Sequence, residues 1–388
     1  MIVTLNAYTE ELDDAEAAVS QVLSQLEPEF HLKSNAIGIV QCYPEFLDNG
    51  IVEAIADALP FDIVGTTTMF NGTQRDHGGL GLSIQVLTSE DVFFSSYYSA
   101  PLAENPERNV KQSYKAVAAR RDEPPVLMFT FAPFLKTIGG DELVAWLDEA
   151  SGGVPNFGSL AIDHTPDFSK ARSFFNGDYS WDRVGFVLVY GNASPRFLMA
   201  SVAEENILPQ AVTITKSKGN VLMEVNDIPF GQYLEQLGLA DGESITAKET
   251  LPLVIDILDG AQAVARSMIA LTPEGHVILG GTAPVGAQLR IGTMTYLDVA
   301  ETAEMMFDAA MATERQQCLI VFSCLSRFFA LESRINDEIE TGKTLIQDHA
   351  PFLFGYTGGE ICPVPGGRRN REGTINKFHN FTIIACVF

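Results

Sequence analysis

The chain has 388 residues, of which 46% are hydrophobic and 19% are charged, and its formal net charge at pH 7 is -25. One hydrophobic core does not usually serve a chain of this length, so the composition predicts a globular protein of two domains. Since nucleic acids and anionic membrane surfaces attract Lys and Arg, this acidic balance argues against both as partners and favours cationic or zwitterionic ones.

Three segments of the chain repeat one order of elements: an apolar strand, an amphipathic helix and a second strand that runs into a glycine. The first strands lie at 36–41, 126–131 and 318–323, and the second strands reach Gly65, Gly158 and Gly355. In the third segment, Leu331, Ile335 and Ile339 place an apolar stripe along one predicted helix. This order favours a parallel strand pair with a right-handed crossover, although α/β chains without internal repeats show similar patterns.

Longer strands of alternating polarity follow the glycines, and they predict antiparallel additions to the parallel pairs. The clearest lie at 80–87, 92–98, 185–190 and 381–387. The expected fold class is therefore α/β (α+β), with mixed β-sheets flanked by helices and with repeated strand–helix–strand units.

The domain boundary is predicted within 203–209, which divides the chain into domains 1–204 and 205–388. The second domain opens on a β-rich region, where 211–215 and 221–225 predict a hairpin. A helix predicted at 300–312 then leads into the third repeated segment.

Ligands of parallel α/β sheets gather beyond the carboxyl ends of the strands. Here these ends carry sulfur, hydroxyl and glycine residues, namely Cys42, Gly65, Thr66, Thr67, Gly158, Ser159, Cys324, Gly355, Tyr356 and Thr357. The glycines indicate points where the backbone turns tightly or approaches another group closely. The segments at Gly65 and Gly158 would also suit an anion, because main-chain N–H groups and hydroxyls can bind one.

Several short motifs between about residue 35 and residue 387 belong together. They are FSCLSR at 322–327, FGYTGGEI at 354–361, FHNFT at 378–382, NDIP at 226–229, IVGTTT at 63–68 and PNFGSLAID at 155–163. This set resembles the FIST family, which combines an N and a C module. The chain departs from the family pattern near Thr68, where a second glycine is missing, and at 363–373, where residues are inserted.

The resemblance implies a sensory protein of signal transduction whose ligands are small molecules such as amino acids. Such a protein would act through a downstream signalling protein or carry its ligand. Carried over to the matching positions, the resemblance and the strand-end argument give one predicted set of ligand-binding residues: Gly65, Thr66, Thr67, Cys324, Arg327, Gly355, Tyr356, Gly359, Glu360, His379, Asn380 and Thr382.

Cys324 and Arg327 are the first candidates for chemistry. A thiol beside a guanidinium could have a lowered pKa and be reactive, and the guanidinium could hold a carboxylate of the ligand or of Glu360. In the alternative, Cys324 is a small buried apolar residue and Arg327 pairs with Glu332 or Glu360.

Glu360, His379, Asn380 and Thr382 are the second candidates. A carboxylate, an imidazole and an amide on two neighbouring strands could recognise an amine or exchange protons with a substrate. The alternative is a structural network that satisfies buried polar groups and also forms the wall of a pocket, which we favour over catalysis.

Metals, cofactors and disulfides find no support in the sequence. The five cysteines include no CxxC pair, and the six histidines include no HExxH or HxH spacing.

The first residues lack the basic and apolar regions of a signal peptide, and no stretch approaches the ~18 apolar residues of a membrane helix. These features predict a cytoplasmic protein that is not inserted in a membrane. The one basic cluster, Arg368, Arg369 and Arg371, predicts an exposed loop that could dock an acidic partner.

The leading functional hypothesis is a small-ligand-binding sensory protein rather than an enzyme. A protein-interaction scaffold is the first alternative. A thiol or acid–base hydrolase that uses Cys324 with His379 is the second, although the sequence contains no nucleophile-elbow motif to support it.

Overall fold

A computed structural model describes residues 1–134, 138–241, 244–258, 260–312, 318–366 and 373–388. The strands up to residue 200 are β1 (Val3–Thr9), β2 (Asn35–Cys42), β3 (Ile63–Thr67), β4 (Asn71–Thr73), β5 (His77–Gly78), β6 (Leu82–Ser89), β7 (Val92–Tyr98), β8 (Leu127–Ala132), β9 (Asn156–Leu160), β10 (Ser173–Phe175), β11 (Asp178–Ser180), β12 (Gly185–Gly191) and β13 (Arg196–Ala200).

The later strands are β14 (Val212–Lys218), β15 (Val221–Val225), β16 (Ile228–Pro229), β17 (Leu253–Asp256), β18 (Val264–Arg266), β19 (Met268–Leu271), β20 (Val277–Leu279), β21 (Gln288–Ile291), β22 (Leu319–Cys324), β23 (Phe352–Thr357), β24 (Glu360–Pro365), β25 (Thr374–His379) and β26 (Ile383–Val387).

The described helices are α1 (Ala15–Leu26), α2 (Pro28–His31), α3 (Glu45–Asp48), α4 (Ile51–Ala58), α5 (Pro106–Ala118), α6 (Gly140–Ser151), α7 (Phe230–Gln236), α8 (Tyr296–Met311), α9 (Leu325–Ala330) and α10 (Asp337–Ile346). Short 3-10 turns lie at Glu204–Asn206 and Lys248–Thr250. Among the described residues, no helix combines the length and the apolar character that crossing a bilayer requires.

Three six-stranded sheets share one plan and confirm the predicted fold class. Each has a parallel pair at its centre, β2–β3, β8–β9 or β22–β23. An antiparallel strand, β6, β12 or β26, lies beside the first strand of each pair, and β1, β7 or β13 follows outside it. The apolar runs that form the parallel pairs are buried, as a strand covered on both faces requires.

The hairpin that follows each parallel pair does not extend its own sheet. Hairpin β4–β5 follows β3 but pairs with β23, β10–β11 follows β9 but pairs with β3, and β24–β25 follows β23 but pairs with β9. The three repeated units therefore interlock in a cycle. These sheets join strands from both sides of residues 204 and 205, and the domain boundary there stays a prediction.

The third repeated unit differs from the prediction. A single helix through Leu331 and Ile339 was predicted, and this prediction is wrong. Two helices, α9 and α10, form instead, and Glu332 between them has a left-handed φ of 54°. The break folds the chain back so that Arg327 of α9 faces Glu338 of α10, with 2.6 Å between Nη2 and Oε1. A straight helix would hold these two residues about 16 Å apart along its axis.

A fourth, antiparallel sheet of eight strands, β14 to β21, forms the region that the sequence predicts as β-rich. Its apolar core includes Leu222, Phe230 and Leu253. Arg266 connects this sheet to the rest of the protein, because its guanidinium donates to Asp141 Oδ1 at 2.6 Å and to the carbonyl of Phe378 at 2.8 Å. The fourth sheet is thereby held against α6 and β25, and a cavity remains beside this contact.

Candidate ligand-binding site

A cavity of about 390 Å³ lies where the fourth sheet meets the carboxyl end of β22. Cys324 and Ser326 reach it from the β22–α9 junction, and Ser267 reaches it from the turn between β18 and β19. Asn380 follows β25 directly and lines the same space. The cavity therefore lies at the carboxyl end of a parallel strand, but most of its lining residues belong to other elements.

The floor of the cavity is polar and uncharged. Ser267 Oγ and Ser326 Oγ lie 2.8 Å apart, and Asn380 Oδ1 accepts from the main-chain N–H of Ser267 at 3.4 Å. These groups are almost completely buried, and they present hydroxyl, thiol and amide groups to the cavity. A ligand group that both donates and accepts hydrogen bonds would satisfy such a floor.

The walls are apolar and largely aromatic. The rings of Phe134 and Phe168 touch, with 4.6 Å between their centroids, and Phe329 and Met268 close other sides. Pockets with apolar walls and a few convergent polar groups are typical of small-molecule sites.

The rim carries charges of both signs. Lys248 and Glu249 line it, and Lys248 Nζ donates to the carbonyl of Ile269 at 2.9 Å. Asp163 also lines the cavity, but its carboxylate accepts hydrogen bonds from Thr165 and from the N–H of Lys170. These hydrogen bonds stabilise the turn that follows Asp163.

The Cys324 thiol is not activated as the sequence suggested. Its burial, and then the nearby Glu360, raise its pKa to about 12. The pKa is not lowered, because the charge of Arg327, which was expected to lower it, is paired with Glu338. At neutral pH the thiol is a neutral lining group.

We therefore expect Cys324 in the native protein to react with iodoacetamide at least about tenfold more slowly than an exposed thiol, since the thiolate is the nucleophile and burial raises the pKa of this thiol. Mass spectrometry of the labelled peptide at pH 7.5 measures the rate, and urea-unfolded protein is the control. Rapid labelling of the folded protein would restore the reactive-thiol hypothesis.

Arg327 lies behind the cavity in a completely buried ion pair. Its Nε and Nη2 donate to Glu338 Oε1 at 2.9 and 2.6 Å, and Nη1 donates to Thr302 Oγ1 at 2.9 Å. The other oxygen of Glu338 accepts from Ser323 and Tyr356 at 2.9 and 2.8 Å. The partner of Arg327 is thus Glu338 and not Glu332 or Glu360, and the hydroxyl of Tyr356 is committed to the same network.

Glu360 lies beside the cavity floor within a second buried network. Its two carboxyl oxygens accept from Thr357 and Thr382, each at 2.7 Å. Burial raises the pKa of Glu360 to about 8, and these hydrogen bonds oppose the shift. Of the predicted network of Glu360, His379, Asn380 and Thr382, these hydrogen bonds join Glu360 and Thr382.

His379 pairs with Glu360 across β24 and β25, but it contributes no base near the thiol. Burial, and then the charge of Arg266, lower its pKa to about 3. No hydrogen bond between the His379 ring and Cys324 is found in the described part of the chain, and Nε2 is buried without a partner. Cys324 and His379 therefore do not form a thiol–imidazole pair in this structure.

The remaining predicted residues do not line this cavity. Thr66 Oγ1 accepts from Gln41 Nε2 at 2.9 Å, and Thr67 Oγ1 accepts from the N–H of Arg172 at 2.9 Å. Gly355 is buried beside Gln41, and Gly359, with a φ of 142°, faces the Phe378 ring and Asn380. Gly65 lies inside β3 at a close approach to β2. Of the twelve predicted residues, the cavity brings together Cys324 and Asn380.

Several lining residues were missed by the sequence analysis. Ser326 lies inside the FSCLSR motif and could have been included from its strand-end position. Ser267, Phe134 and Phe168 belong to other segments, and no local pattern connects them with Cys324. They become neighbours only through the packing of the fourth sheet.

Other features of the molecule do not compete with this site. A wider surface groove of about 700 Å³ runs along α1 past Val19, Leu23 and Phe30, and it contains none of the predicted residues. Within the described ranges, no group of three His, Cys, Asp or Glu residues could hold a metal ion. The basic cluster at Arg368, Arg369 and Arg371 lies outside the described residues.

Comparisons with known proteins agree with the motifs. The FIST N domain family model matches residues 36–228, and the FIST C domain family model matches residues 229–363. The comparison with curated proteins returned no match. The crystal structure of cyanuric acid hydrolase from A. caulinodans aligns over 100% of this chain and 99% of that chain with 9% identity, but its TM-score of 0.40 supports no inference. Since the two domain matches run from residue 36 to residue 363, the protein belongs to the FIST family, whose domains are sensory domains that bind small ligands in signal transduction.

Proposed function

We propose that this protein is a cytoplasmic sensory protein that binds an amino acid or a similar zwitterionic metabolite in the cavity at the end of β22. One observation carries the proposal: a partly enclosed space of metabolite size has an uncharged hydrogen-bonding floor and aromatic walls. Five free, buried cysteines are compatible with a reducing compartment.

The charges at the rim support a zwitterion. Lys248 Nζ lies 4.0 Å from Glu249 Oε1, so a cationic and an anionic group stand side by side at the entrance. A ligand with one carboxylate and one ammonium group would complement both. The net charge of -25 would repel a ligand that is only anionic.

The position of the cavity supports a sensory role. Phe134 and Phe168 belong to the part matched by the FIST N domain, whereas Ser267, Ser326 and Asn380 lie in the C-terminal part of the chain. A ligand between them would stabilise one arrangement of the two parts. A downstream signalling protein that recognises this arrangement would receive the signal.

A thermal-shift screen of the twenty common amino acids and related metabolites tests the proposal. A ligand present at about 100 times its Kd should stabilise the native protein by ~2.7 kcal/mol, because it binds the folded state alone. We expect Ser326→Ala and Asn380→Ala to reduce this shift, whereas Ser20→Ala on the exposed face of α1 should leave it unchanged.

Two outcomes would contradict the proposal. One is a shift that persists in both floor variants, which would place the ligand elsewhere. The other is the absence of any shift together with binding of a protein partner, which would favour the interaction scaffold.

A further inference from the structure

We propose that the binding site extends beyond the first cavity into a second, apolar compartment, so that its ligand is an amphiphilic amino acid with a long unbranched aliphatic side chain. This inference rests on the proposed function, because it takes the first cavity, with its polar floor and charged rim, as the site of the zwitterionic head group. It adds the second compartment and the tail that would fill it.

The second compartment is a neighbouring cavity of about 620 Å³. Its apolar lining consists of Leu102, Ala103, Pro106, Ile138, Ala171 and Trp181. Ser169 and Asp182 are the polar residues described in this lining. An aliphatic chain would gain from contact with such a surface because it leaves water.

The two cavities share a wall. Phe134 and Phe168 line both of them, and their rings are tilted by 44° to each other. A chain that leaves the polar floor along these rings would therefore pass directly from the first compartment to the second.

The loop that holds Phe168 in this wall is built with an unusual backbone. Phe168 has a φ of 53°, which bulky residues rarely adopt. Hydrogen bonds from its N–H to the carbonyl of Thr165 and from Ala171 to its own carbonyl, each 3.2 Å, maintain this conformation. The buried carboxylate of Asp163 secures the loop at Thr165 and Lys170. Strained conformations that the surroundings enforce in this way concentrate at ligand sites.

Trp181, an exposed residue that lines the second compartment, also supports a ligand site there. Its side chain is 68% exposed although it lines an apolar cavity. Large aromatic side chains left exposed beside an apolar hollow are typical of ligand and partner sites. A tail of sufficient length would cover this indole.

The test is a series of linear 2-aminoalkanoic acids with four, six, eight and ten carbon atoms, titrated into the full chain by calorimetry. We expect the affinity to rise about fourfold for each added methylene once the tail enters the second compartment. In a Trp146→Phe background, Trp181 is the sole tryptophan, and its fluorescence should respond to the longer members alone.

The decisive variant is Trp181→Ala, whose folding is checked by its melting curve. We expect it to weaken the eight-carbon ligand about tenfold and to leave the four-carbon ligand unchanged. If the short acids bind but longer tails gain nothing, or if Trp181→Ala weakens all members equally, the second compartment is wrong and the proposed function stands. If no member of the series binds, the amino-acid proposal itself fails, and this inference fails with it.

Discussion

Replacing Gly65 or Gly158 by alanine is expected to destabilise the protein by more than about 4 kcal/mol, whereas Gly355→Ala should cost far less. The three glycines occupy the same position in the three parallel pairs, opposite Val40, Thr130 and Phe322. A Cβ at Gly65 would lie 1.9 Å from the carbonyl oxygen of Val40, and one at Gly158 would lie 2.0 Å from that of Thr130. Relief of either clash requires neighbouring strands to separate.

Gly355 is the matched control, because its neighbour can move. A Cβ there would first meet the Gln41 side chain, at 3.0 Å, and a flexible side chain can shift by a few tenths of an ångström. Alanine also lowers the conformational entropy of the unfolded chain, and this stabilises the folded protein by ~0.4–1 kcal/mol. Urea unfolding followed by circular dichroism measures all three variants. Equal destabilisation by Gly65→Ala and Gly355→Ala would refute the close-approach explanation.

Glu338→Ala should lower the free energy of unfolding by about 3–5 kcal/mol. The substitution leaves the Arg327 guanidinium, which is 0% exposed, without its carboxylate. It also removes the acceptor of the Ser323 and Tyr356 hydroxyls. A buried charge that loses its partner keeps the full cost of leaving water, so the loss exceeds that of an ordinary hydrogen bond.

The matched control is Asp337→Ala, one residue earlier on the same helix. Asp337 lies 3.9 Å from Arg334, and both side chains are about half exposed, so that solvent screens the pair and its loss should cost ~0–1 kcal/mol. The double variant Arg327→Met, Glu338→Leu should recover much of the loss, because it removes both charges. A change below ~1 kcal/mol for Glu338→Ala in urea unfolding would show that the ion pair is not structural.

The repeated strand–helix–strand units were predictable because their signals are local. Continuous apolar runs such as those of β2 and β22 mark buried strands, and apolar residues such as Ile51 and Ile55 mark the face of α4. The exchange of hairpins was not predictable. The polarity of β4 does not reveal that its partner is β23, about 280 residues away in the chain, since many strands offer the same backbone hydrogen bonds.

The position of the Glu338 side chain was likewise not predictable from the sequence. It follows Asp337 and precedes Glu340, so the sequence there resembles the exposed acidic start of a helix. Only the reversal of the chain between α9 and α10 brings Glu338 inward to Arg327. The pairing predicted for Arg327, with Glu332 or Glu360, rested instead on proximity in the sequence and on the family pattern.

Local patterns in the amino-acid sequence were enough to predict the family, the fold class, the three parallel pairs and two of the residues that line the cavity, Cys324 and Asn380. The contributions of Ser267, Phe134 and Phe168 to the cavity, and the burial of Arg327 behind it, depend instead on how distant elements pack. The difference lies in the range over which each signal acts along the chain. Hydrophobic periodicity and strand-end position are properties of consecutive residues, whereas a cavity forms where elements distant in the chain fail to pack completely against one another.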